Sequence, residues 1–144
     1  MACFAFARRA QMRKMDSGMA TLRLGQLIRI TGFGFGSGSG LSADIDFEKV
    51  PLIINDLKNY IDYQCIPGGT NRNWDSYGDK IGGLSDYQKA ILADPQTSGG
   101  LLVAVDPTAA DDVKNILKQN GLEKFATPIG SLQKQTEKII YIQA

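Results

Sequence analysis

The chain has 144 residues, 43% hydrophobic and 22% charged, enough for a domain that buries roughly 68–70% of its unfolded surface without staples or metals. It contains no histidine, which excludes Ser-His-Asp and Cys-His nucleophiles and the HExxH zinc site. Cys3 and Cys65 form neither a CxxC pair nor a secreted disulfide framework and point to a reducing, cytoplasmic setting, while a net charge of +1 argues against a nucleic-acid binder.

Charge is unevenly spread. Residues 1–30 carry Arg8, Arg9, Arg13, Lys14, Arg23 and Arg29 against Asp16 alone, and the remainder is mildly acidic. Phe4, Ala7, Met12, Met15, Met19 and Leu22 recur at helical spacings and predict a helix over 4–24, which Gly18 weakens. Its methionine stripe suits a core-facing side, or a surface for a membrane or partner helix. The arginine-rich start also leaves a transit peptide open, but no apolar run approaches the roughly 18 residues that span a bilayer. With the β-prone Leu27–Thr31, residues 1–31 form a basic helical arm and first strand. Residues 32–40 place glycine at every second position and predict a flexible loop. This stretch is not a nucleotide loop, because Ser37 and Ser39 stand where GxGxxG needs its third glycine and no GxxxxGK exists.

Residues 41–144 form the body of the domain. Ala43–Phe47 alternates as a half-exposed strand, and a helical pattern follows from Asn55 to Tyr63. Residues 65–74, with Pro-Gly-Gly turn chemistry, predict a polar ordered loop. Ser85 caps a short helix through Leu92, and Leu101–Val105 reads as a buried strand. Asp106-Pro107 opens a helix with Ala110, Val113, Ile116 and Leu117 on one face and Gly121 as its stop. Ala126–Leu132 and Lys138–Gln143 predict two strands joined as a hairpin. Helices and strands mix without a strict βαβ repeat, so the fold class is α+β with a mixed sheet.

Two polar segments carry candidate chemistry. Thr97 and Ser98 precede the Gly99-Gly100 pair, whose amides suit an anion-binding nest, or equally a strain-free turn from helix to strand. Thr70, Asn71, Arg72 and Asn73 could present donors to a phosphate, or satisfy their own backbone. Cys65 lies beside a turn with no neighbouring base, which favours a structural thiol.

DPQTSGGLLVAV at 94–105 and CIPGGTNRNWDSYG at 65–78 resemble the paired signatures of selenophosphate synthetase (selenide, water dikinase), and ITGFG at 30–34 resembles the remnant of that family's DVTGFG. The similarity runs from about Gly38 to the C-terminus, with a weaker match over 10–34. It implies the carboxy-terminal domain of that enzyme, similar to the C-terminal domain of aminoimidazole ribonucleotide synthetase. The reaction implied converts ATP, selenide and water to selenophosphate, AMP and phosphate, with magnesium on the nucleotide.

The family's reactive Cys or selenocysteine, its essential Lys and most of its magnesium-binding aspartates lie in an amino-terminal domain that this sequence lacks. The resemblance therefore implies a chain inactive alone, whose partner is that domain, and apolar surface exposed by the loss of that companion favours a homodimer or self-association. Where the family has the magnesium-ligand Asp of DVTGFG, this sequence has Arg29, a cation that repels Mg²⁺, so no metal ligand carries over. No residue is assigned a catalytic role. The competing expectation is a non-catalytic interaction module, or an anion binder using Thr97, Ser98, Gly99 and Gly100 with Arg72.

Overall fold

A computed structural model describes residues 2–6, 20–23, 40–52, 54–95 and 101–143, with the side chains of 2–6, 20–23 and 101 excepted. Among the described residues, seven strands form one sheet: β1 (Ala2–Phe6), β2 (Ala20–Arg23), β3 (Leu41–Asp46), β4 (Ile81–Gly82), β5 (Leu101–Val105), β6 (Pro128–Lys134) and β7 (Ile140–Gln143). Their order is β2-β5-β1-β6-β3-β7-β4. The pairs β3–β7 and β4–β7 are parallel and the others antiparallel, which makes the sheet mixed, as the α+β reading expects. The described helices are α1 (Leu57–Asp62), α2 (Gly68–Tyr77), α3 (Asp86–Leu92) and α4 (Ala110–Gln119).

The continuous apolar run of β5 has a direct cause: both faces of the strand are covered. Leu102 and Ala104 point into a core with Ile45, Leu92, Ile129 and Ile140, against which Trp74 and Tyr77 pack. Val103 and Val105, on the alternate positions, enter a second core with Val113, Leu117 and Phe125. Leu117 is 1% exposed, and burial of such a side chain contributes roughly 1.5–3 kcal/mol.

Local signals set the helix boundaries. The Ser85 hydroxyl accepts the Gln88 N–H at 3.3 Å while the Gln88 side chain accepts the Ser85 N–H at 2.9 Å, a capping box that starts α3. Asp106 accepts the Thr108 N–H at 2.9 Å, and a 3₁₀ turn over Pro107–Ala109 leads into α4. Gly121 then takes φ +68°, the left-handed conformation that ends a helix cheaply only in glycine.

Two expectations are corrected. The helix over 4–24 is contradicted at both ends, because Ala2–Phe6 and Ala20–Arg23 are strands. β1 lies between β5 and β6, and β2 borders β5, so long-range ladder pairing overrides a local helical spacing. The middle of that segment, Arg29 and residues 32–39 lie outside the described residues. The hairpin of the last two strands is the second correction. β6 and β7 do not pair, because β3 runs between them, antiparallel to one and parallel to the other. The chain reverses around Ser42, whose hydroxyl donates to the Lys138 carbonyl at 2.7 Å and accepts the Thr136 N–H at 3.0 Å.

Candidate functional site

The segment 65–78 begins with an exposed Cys65, and Pro67 holds an extended backbone at φ −60° and ψ 138°. The polar loop expected over 65–74 is corrected here, because helix α2 starts at the residue after Pro67. The Thr70 N–H donates to the Pro67 carbonyl at 2.9 Å and closes its first turn. A sequence signal for this helix exists in Ile66, Thr70, Trp74 and Tyr77, at spacings of four, four and three, but the glycine pair masks it.

The glycines are there for close packing. A Cβ on Gly69 would come within 2.6 Å of Pro95 Cγ, and one on Gly78 within 2.6 Å of the Trp74 ring. The start of α2 therefore lies directly against the start of the 94–105 segment. A second tie joins the same two regions, since the Asn73 side-chain amide donates to the Ala93 carbonyl at 2.8 Å. Across the helix, Lys89 Nζ stands 4.9 Å from the centre of the Trp74 ring, a cation–π contact.

The four candidate residues of α2 do not converge. Successive helical residues turn by about 100°, so four in a row point to all sides. Thr70 is buried at 1% exposure, with a hydroxyl that has no hydrogen-bond partner among the described residues. Asn73 is half-buried and engaged with Ala93, whereas Asn71 and Arg72 are exposed. Thr97, Ser98, Gly99 and Gly100 lie outside the described residues, so Pro95 is the last described point of contact before them.

Among the described residues, no group of three or more Cys, Asp or Glu side chains lies together as a metal-binding cluster. No helix among the described residues is long and apolar enough to cross a membrane. Sequence reasoning missed a cleft of about 530 Å³ between α1, α2 and α3, whose lining includes Thr70 and Asn71. Its residues are scattered over positions 58–90, and no local spacing connects them.

Residues 36–143 match the family described as AIR synthase related protein, C-terminal domain. The chain belongs to this family. Within it, this AIR synthase related domain is similar to curated proteins named selenide, water dikinase. The protein of Haemophilus influenzae is 43% identical over 121 residues, covering 79% of this chain and 34% of the relative. That of Pasteurella multocida is 48% identical over 123 residues, 80% of this chain and 35% of the relative. One from a Shewanella species is 41% identical over 134 residues, 88% and 37%. The chain thus spans about a third of the length of the curated relatives it matches.

Proposed function

We propose that this chain is the C-terminal domain of a selenide, water dikinase, the enzyme that forms selenophosphate, AMP and phosphate from ATP, selenide and water. The observation that carries the reading is the joining of the two signature segments, through Gly69 against Pro95 and Asn73 against Ala93, in a chain 41–48% identical to proteins of that name. The domain's part is to hold these segments as one rigid surface for an amino-terminal catalytic domain. Its partners are that domain and a second copy of the chain, in the cytoplasm, with neither nucleic acid nor membrane involved.

The chain alone does not carry out the reaction. Phosphoryl transfer depends on positioned cations at the phosphates, and the resemblance puts most of the family's magnesium-binding aspartates in the amino-terminal domain. ATP and magnesium belong to the whole enzyme. The purified chain is expected to form no AMP above a no-selenide control, and selenide-dependent AMP would overturn its inactivity. Joining the amino-terminal two-thirds of the Pasteurella multocida relative to this chain tests the dikinase reading. Selenide-dependent AMP from the chimaera supports it, and a folded but silent chimaera sinks it.

Arg29, at the position where the resemblance puts a magnesium-ligand Asp, favours a second reading as a non-catalytic interaction or anion-binding module. Calorimetry with ATP, ADP and phosphate separates the two, because heat of binding to the isolated chain is expected only of an anion binder.

A further inference from the structure

The cleft between α1, α2 and α3 shares Ile66, Thr70 and Asn71 with the 65–78 segment, but the dikinase reading assigns it no ligand. Its volume of about 530 Å³ falls within the range of small-molecule sites. Each of two walls carries one charge of each sign. α1 supplies Lys58 and Asp62, joined in an ion pair of 2.7 Å, and α3 supplies Asp86 and Lys89, three residues apart on one helical face. The lining is neutral in sum yet strongly polar.

One observation independent of charge marks the same place. Thr70 lines the cleft with a buried hydroxyl that lacks a hydrogen-bond partner among the described residues. Such a group in a native fold calls for an explanation, and a ligand or ordered water supplies one. Gln64, also in the lining, takes φ 59° as the left-handed residue that ends α1, with its N–H on the Ile61 carbonyl and the Cys65 N–H on the Tyr60 carbonyl, a conformation that the helix end explains without a ligand.

The charges narrow the ligand. A polyanion would meet Asp62 and Asp86, a dication would meet both lysines, and an apolar molecule would strip water from four charges and replace none of it. A molecule with one charge of each sign finds a partner for both. Asp86 has no ion pair among the described residues, and Lys89 rests on the Trp74 ring, a contact that uses none of its N–H donors.

We infer that this cleft binds a small zwitterion, a free α-amino acid or dipeptide, with its ammonium group on Asp86 and its carboxylate on Lys89. The inference stands on these residues and does not depend on the dikinase reading.

The test is an ¹H–¹⁵N NMR titration of the full chain with the common amino acids one at a time and with glycylglycine. Saturable shifts at Asn71, Asp86 and Lys89 are expected for at least one zwitterion. Its N-acetyl and carboxamide derivatives, each lacking one charge, should bind at least about tenfold more weakly. Asp86→Asn should weaken the zwitterion to a similar degree with the spectrum of the folded chain intact. Thr70→Val, which keeps side-chain shape, provides a second variant with the same expected direction. The proposal fails if no zwitterion saturates at tens of millimolar, if inorganic phosphate or either blocked derivative binds as well, or if D86N leaves binding unchanged.

Discussion

Asn73 commits its amide to the carbonyl of Ala93, a residue only 1% exposed, so the bond lies where water cannot replace it. Truncation to alanine leaves that carbonyl unpaired, at a cost of about 1–3 kcal/mol. Asn71, two positions earlier and exposed, should tolerate the same change within about 0.5 kcal/mol. Urea denaturation of Asn73→Ala and Asn71→Ala checks the contrast, and equal losses would refute the bracing role of Asn73. Thr, Asn, Arg and Asn in a row read either as donors for a phosphate or as groups that satisfy their own loop backbone, and a helix turns them to different directions. Which of them meets a carbonyl depends on Ala93, twenty residues away, and no local pattern carries that information.

Elements whose ends are marked by side-chain chemistry were legible, and those built by distant pairing were not. Ser85, and Asp106 with Pro107 and Gly121, placed α3 and α4 because each cap is a contact between near neighbours. β1 and β2 were read as parts of a helix, since their partners in β5 and β6 lie roughly eighty to a hundred and thirty positions away. The Asp106 cap of the 3₁₀ turn that leads into α4 also sets a pH dependence. The Thr108 hydroxyl, 2.6 Å from Asp106, and then the Thr108 N–H hold the Asp106 carboxyl below its ordinary pKa. A carboxylate favoured in the fold contributes stability that is fully present above its unfolded pKa, about 3.9, and is lost as pH falls through the lower folded value. NMR titration should place the Asp106 midpoint below the ordinary aspartate value of about 3.9. Asp106→Asn should flatten the stability profile below about pH 4, and a profile unchanged from the parent chain would exclude this contribution.

The sheet as a whole follows from one strand that joins two cores. β5 sends Leu102 and Ala104 to one face and Val103 and Val105 to the other, so neither core is complete without it. The sequence announced this in the run LLVAV, which lacks the alternation of a strand wet on one side. It could not announce that β3 would enter between β6 and β7, because a short polar connection between two strands ordinarily makes a hairpin. A shared strand also makes the two cores cooperate. Leu117 lies on the α4 side, while Trp74, the single tryptophan, packs against the opposite core. Leu117→Ala should cost about 2–5 kcal/mol through lost burial and the cavity left behind. If β5 couples the cores, Trp74 fluorescence and far-UV circular dichroism should shift to lower urea together, in a single transition. A fluorescence midpoint that stays at its parent value while the dichroism moves would show that the cores unfold separately, and that β5 does not bind them into one unit.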